Sequence, residues 1–235
     1  MKAITLLLLF LSLNVNATSI SAKSWLIADD KGTVLKSEYP EDQRSIASIT
    51  KLMSAMVVLD ANQNLKEKIG GYTREQHLYL SIVRSVNTSA DILCRRYPGG
   101  MKKCIDAMNE KAVALGMSNS YFADATGINA GNKSTALDLI KLVLASKEYP
   151  LIVEASRTQK LDYSTGKSKR VFNNTNPIVG ARYDFVVSKT GLTTAAGGCI
   201  VMMLDTEVGR RIVVLLGSRN GKTRIPEAEF LALLK

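Results

Sequence analysis

The stretch SIASITKLMSAMVVLDA, Ser45 to Ala61, is almost wholly apolar from Ile46 onward and reads as a helix at the centre of a core. It nevertheless carries Ser48 and, three residues on, Lys51. Side chains at i and i+3 share one face of a helix, so the hydroxyl and the amine are neighbours. A serine hydroxyl is a poor nucleophile without a base beside it, and a lysine is a base only when neutral. Bringing a lysine from its usual pKa of about 10.4 to about 7–8 takes roughly 4 kcal/mol, which desolvation in an apolar helix supplies. The apolar surroundings thus give Lys51 a chemical use. Ser164 and Lys167, in YSTGKSK, repeat the spacing within a polar loop that would leave the lysine charged.

Two further short motifs lie downstream. Ser85-Val86-Asn87 closes a helix that opens at a capping-box pattern, Thr73 with Gln76. Lys189-Thr190-Gly191 ends a strand-like run and leads into LTTAAGG, small residues against which a ligand can lie close to backbone. Ser-x-Asn also occurs at Ser12–Asn14 and Ser218–Asn220, so each motif alone is weak, and the ordered set is what carries information.

Outward from these, SWLIADDKGTVLKSE predicts two strands joined by a turn at Asp29–Gly32. Helices follow at Ser89–Tyr97 and Met101–Leu115, the latter stopped by Gly116. STALDLIKLVLASKE is an amphipathic helix with Leu137, Ile140, Val143 and Leu144 on its apolar side. Residues 157–183 are polar and turn-rich. YDFVVSK, GCIVMML and RRIVVLLGS are strands, and IPEAEFLALLK is a closing helix. The expected fold is α/β of the α+β kind: one antiparallel sheet of about five strands drawn from both chain ends, flanked by helices, with a helical subdomain inserted.

Met1-Lys2, the apolar run Ala3–Leu13 and small residues up to Ala17 form a signal-peptide pattern over 1–17, leaving 18–235 as a single domain that is exported and periplasmic. The run is shorter than the ~20 residues a bilayer span needs, and no later segment qualifies. The leader carries one lysine, so net charge is +10 for the chain and +9 without it. That charge favours anionic surfaces such as wall polymer. Basic residues are scattered, without the stripe and interleaved aromatics of a nucleic-acid face. Cys94 and Cys104 flank a Pro-Gly-Gly turn in CRRYPGGMKKC and, in an oxidising compartment, are expected to bridge, contributing roughly 2–3 kcal/mol. Cys199 reads as a buried small hydrophobe. With one histidine, His77, and no Cys–His cluster, no metal and no cofactor is expected.

The set S-x-x-K, S-x-N, K-T-G resembles that of penicillin-binding proteins and serine β-lactamases. IASITKLMSAMVVLDA, YPGGMKKCIDAMNEKAVALGM, ATGINAGNKSTALDLIKL, ASKEYPLI and KTGLTTAAGGCIVM extend the resemblance, over essentially the whole mature chain, to the low-molecular-mass D-alanyl-D-alanine endopeptidase and carboxypeptidase family. The resemblance implies a peptidase of peptidoglycan stem peptides, inhibited by β-lactams and monomeric. It implies Ser48 as nucleophile, Lys51 as base, Ser85 as proton relay, and Asn87 as holder of substrate and Lys51. Lys189 and Thr190 would take the substrate carboxylate, with Lys189 adding a positive field that keeps Lys51 neutral. Gly191 and Leu192 would continue that strand, the Ser48 and Leu192 N–H groups forming an oxyanion hole. A class A β-lactamase would need a deacylating Glu, which YFADATGINAGNKSTALDL lacks; a non-catalytic sensing module would not need all three motifs. Two features depart from the family pattern: the 61–73 link is short, which would lower one rim of the cleft, and Val86 and Thr88-Ser89 replace the usual neighbours of the second motif. The similarity of ASKEYPLI and KTGLTTAAGGCIVM to the endopeptidase subgroup, and a chain ending just after the closing helix, favour crosslink cleavage over carboxypeptidase action.

Overall fold

The computed structural model describes residues 20–165 and 168–235, so the leader over 1–17 and Lys167 lie outside the described residues. The chain opens with β1 (Ser24–Ala28) and β2 (Val34–Glu38), joined by the expected turn, in which the Asp29 carboxylate accepts from the Lys31 and Thr33 amides. The short β3 (Arg44–Ser45) leads into one 3-10 turn (Ala47–Ile49), and α1 (Thr50–Asp60) follows without a break. Nine of the eleven α1 residues are buried, Lys51 among them. The short link after α1 holds a two-residue hairpin, β4 (Lys68–Ile69) with β5 (Tyr72–Thr73).

Next comes α2 (Arg74–Val83), where both capping-box bonds form: Gln76 N–H to Thr73 Oγ1 at 3.1 Å and Thr73 N–H to Gln76 Oε1 at 2.9 Å. It is followed by α3 (Asn87–Arg95) and α4 (Gly100–Ala114), the latter closed by Gly116 at φ +70°. Short β6 (Lys133–Ser134) pairs with β3, ahead of α5 (Ala136–Ser146). The buried face of α5 is turned from the expected one. Leu139 and Leu142 are wholly buried along with Val143, whereas Leu137 and Leu144 are only half-buried, because the helix is covered on more than one side. PLIVEASR, to which the sequence pattern assigned no element, is α6 (Pro150–Arg157), with proline at its first turn, where a missing N–H costs nothing. The turn-rich region contains a small hairpin, β7 (Lys160–Asp162) with β8 (Val171–Asn173).

The three long strands are β9 (Phe185–Thr193), β10 (Gly197–Thr206) and β11 (Gly209–Ser218), and α7 (Arg224–Ala232) follows. Lys189-Thr190-Gly191 does not end its strand: β9 continues to Thr193, held by pairing with β10 as far as Gly197. The sheet order is β2-β1-β11-β10-β9, with every pairing antiparallel, so the two chain ends do build one sheet. Its inner strands are apolar on both faces because both faces are covered. One packs on α1, α5 and the helical block, the other on Ile225, Ala228 and Leu231 of α7. The outermost strands are β2, with Lys36 exposed on it, and β9, which faces the 3-10 turn carrying Ser48.

Candidate active site

Ser48 sits in the 3-10 turn rather than in the α-helix proper, and Lys51 lies in the first turn of α1. Lys51 Nζ is 2.7 Å from Ser48 Oγ. It also donates to Asn87 Oδ1 at 2.7 Å and to the Thr126 carbonyl at 2.6 Å. The amine is therefore fully bonded and fully buried. Burial drives its pKa down to about 7, against the opposing pull of the Asp124 carboxylate. Between Lys51 and Lys189 the repulsion is mutual, each ammonium disfavouring the other, and it adds to the depression of Lys189.

Asn87 is the first residue of α3, and Ser85 forms the link from α2 with φ at +60°, a left-handed conformation for a non-glycine residue. Such a link costs on the order of 1–3 kcal/mol, and the bond from Val86 N–H to the Leu80 carbonyl at 3.1 Å helps to hold it. Ser85 Oγ accepts from Lys189 Nζ at 2.9 Å, so the second and third motifs touch across the cleft. Lys189 is buried on β9 and also donates to the Thr190 carbonyl at 2.9 Å. Its pKa falls well below the usual lysine value through burial, then through the nearby Lys51 and Arg224 charges.

Thr190 Oγ1 donates to Thr175 Oγ1 at 2.6 Å. Gly191 allows the closest approach of β9 to the nucleophile: a Cβ there would lie 2.9 Å from the Ile46 carbonyl oxygen and 3.0 Å from Ser48 N. The Gly191 carbonyl accepts from Arg224 Nη1 at 2.6 Å. Leu192 is next along β9, with its side chain more than half exposed at the rim.

All three motifs thus converge in two hydrogen-bonded groups beside a half-buried hydroxyl: Ser48, Lys51 and Asn87 in one, Ser85 and Lys189 in the other. Three contributors escaped the sequence reading: the Thr126 carbonyl, Thr175 and Arg224. A backbone carbonyl leaves no side-chain signal, and the other two are distant in sequence from the motifs they touch. Cys94 and Cys104 are joined in a disulfide that ties the end of α3 to α4, with Cα atoms 5.3 Å apart. Cys199 is free and buried, and burial raises its thiol to about 11, far from a reactive thiolate.

A profile of the D-alanyl-D-alanine carboxypeptidase family, peptidase S11, matches residues 12–70 and 65–220. The chain is 41% identical over 207 residues to a D-alanyl-D-alanine endopeptidase of Escherichia coli, covering 78% of this chain and 67% of that one. It is 36% identical over 246 residues to a D-alanyl-D-alanine endopeptidase of Pseudomonas aeruginosa, covering 86% and 77%. Among solved structures, the Streptomyces K15 DD-transpeptidase superposes with a TM-score of 0.83 at 24% identity, covering 91% of this chain and 96% of that one. Penicillin-binding protein D2 of Listeria monocytogenes, in its cefotaxime-bound form, superposes with a TM-score of 0.80 at 23% identity and the same coverage. The fold is therefore that of DD-peptidases, and the chain belongs to the D-alanyl-D-alanine carboxypeptidase family of serine peptidases.

Proposed function

We propose that this protein is a periplasmic serine-type D-alanyl-D-alanine peptidase of peptidoglycan, cleaving the crosslink between a D-alanine and the D-centre of a diamino acid. The observation that carries the reading is the Ser48–Lys51 contact of 2.7 Å at a buried amine with a pKa near 7. Neutral Lys51 takes the Ser48 Oγ proton as Oγ bonds to the carbonyl carbon of the penultimate D-alanine. The tetrahedral oxyanion is held by the backbone N–H groups of Ser48 and Leu192, each such donor being worth about 3–4 kcal/mol. The C–N bond then breaks, and the amine leaves with a proton relayed from Lys51 by the Ser85 hydroxyl. Water hydrolyses the acyl-serine in the reverse sense, returning Ser48 Oγ–H and a carboxylic acid.

Asn87 holds Lys51 and the peptide, while Lys189 and Thr190 receive the carboxylate beside the cut. A β-lactam presents a carboxylate and a strained amide in the same relation, so it acylates Ser48. Preference for crosslinks rests on relatives named endopeptidases at 41% and 36% identity, against relatives named carboxypeptidases at 24–25%. The short link after α1, read as lowering one rim of the cleft, agrees with a bulky substrate. Digestion of purified crosslinked dimers and free pentapeptide muropeptides tests the reading. Dimers should fall to monomers faster than D-alanine is released. Dominant D-alanine release with surviving dimers would make it a carboxypeptidase, and turnover of neither would remove the peptidase assignment.

A further inference from the structure

The acidic residue whose charge acts on Lys51 belongs to none of the three motifs. The loop over 124–132 is wrapped around the Asp124 carboxylate. Its Oδ1 accepts from the Thr126 N–H at 2.7 Å, the Gly127 N–H at 2.6 Å, Thr126 Oγ1 at 3.2 Å and Asn132 Nδ2 at 2.9 Å, and Oδ2 accepts from the Asn129 N–H at 2.8 Å. Asn132, wholly buried, reaches back to accept from the Ala123 and Asp124 N–H groups. Toward the reacting pair this folding presents the Thr126 carbonyl, at 2.6 Å from Lys51 Nζ and 3.4 Å from Ser48 Oγ.

We propose that Asp124 is a positioning residue for the Ser48–Lys51 pair: it fixes the Thr126 carbonyl against Lys51 and supplies the countercharge for the ammonium that forms when Ser48 gives up its proton. The inference rests on reading Ser48 as nucleophile and Lys51 as base. Neutral asparagine makes the same kind of turn around its own backbone, so loop geometry by itself accounts for the Oδ1 bonds and leaves the charge unaccounted for. That charge persists in the folded protein. Burial opposes ionisation, but the Asn129, Gly127 and Thr126 N–H groups and the Asn132 amide outweigh it and hold the carboxyl below the usual range. A serine–lysine pair otherwise has no third member to stabilise the protonated base as an aspartate does for histidine in a triad. The other groups around Lys51 are Lys189 on β9, Arg224 on α7 behind it, and on α3 the neutral Asn87, with Asp91 and Arg95 paired to each other at 2.6 Å. Among the described residues, Asp124 is the anion that acts on Lys51.

The test is the pH profile of the second-order rate of acylation by a fluorescent penicillin, which reports the free enzyme's base. It is run on the wild type, Asp124→Asn and Asp124→Ser, with folding checked by circular dichroism and thermal melting. The serine variant is also neutral and keeps an acceptor for the Thr126 and Gly127 amides. Removing the countercharge should move the acid limb to lower pH. Relative to its own plateau, the rate near pH 6 should rise roughly three- to tenfold while the plateau falls. A loop that merely loosens would hydrate Lys51 and push the limb to higher pH. A limb that stays in place or moves up overturns the proposal, as does failure of both neutral variants to fold. A wild type that is not acylated at Ser48 at any pH removes the functional reading itself, whereas an acylated wild type with an unmoved limb in the variants removes only Asp124.

Discussion

Lys51 loses its charge near neutrality because the fold buries its amine wholly and leaves three neutral oxygens within hydrogen-bonding reach. Each of those oxygens suits either protonation state of the site. Ser48 Oγ can donate to a neutral amine or accept from an ammonium, while the Asn87 and Thr126 oxygens accept from both. The pair is therefore poised at the level of single atoms. Ser48→Ala should abolish covalent labelling by fluorescent penicillin while the melting temperature stays close to wild type; retained labelling would move the nucleophile elsewhere. Lys51→Arg should be nearly as inactive, lowering the acylation rate by at least about a hundredfold, because a guanidinium does not deprotonate in a protein. Appreciable acylation by that variant would take Lys51 out of the role of base.

At the scale of elements, the site depends on two backbones meeting with no room between them. Gly127 has φ +85°, and a Cβ on it would lie 1.9 Å from the Ala47 carbonyl oxygen and 2.8 Å from Ser48 N. Ala47 itself has φ +47°, and its carbonyl accepts from Thr50 Oγ1 at 2.8 Å, so the carbonyl that Gly127 meets is tied into the turn that carries Ser48. Gly127→Ala should consequently destabilise by roughly 2–4 kcal/mol and cost most of the acylation rate, since the turn it displaces carries Ser48. A melt and a labelling curve near wild type would show that the two segments are free to separate. The disulfide acts on α3 in a different way. By joining Cys94 to Cys104 it limits how far α3, which presents Asn87 at its other end, can part from α4. Reductant should lower stability by roughly 2–3 kcal/mol, and intact mass with peptide mapping should find Cys199 as the free thiol.

The whole molecule feels the buried amines through its pH dependence. A lysine whose folded pKa is about 7 and whose unfolded pKa is near 10.5 binds fewer protons when folded throughout that window, so unfolding takes protons up and stability rises with pH across it. Lys189 is displaced in the same direction and adds to the trend. Comparison with Lys51→Met isolates the Lys51 share. The wild type should gain about 4 kcal/mol relative to that variant between pH 7 and pH 10.5, read from denaturant titrations at each pH. A constant difference across the window would mean that Lys51 stays charged when folded. The rise belongs to the fold because it comes from the sheet, α1 and the helical block closing together over two lysine amines.

By itself the sequence determined the local chemistry and the large pattern. The apolar run around Lys51 announced both a buried helix and an abnormal lysine, because hydrophobicity sets desolvation and burial together. The capping pair Thr73 and Gln76, the long apolar strands near the C-terminus and the spacing of Cys94 and Cys104 fixed elements whose causes lie within a few residues. Tertiary structure alone decided that the Thr126 carbonyl joins the oxygens around Lys51, and which face α5 buries. It also brought Thr175 to Thr190, and Arg224 to Gly191, across separations of 15 and 33 residues. Above all it placed Asp124, which lies outside all three motifs, behind the carbonyl that faces Lys51. Contacts of that kind are made by backbone geometry and by distant segments, and no periodicity or motif along the chain encodes them.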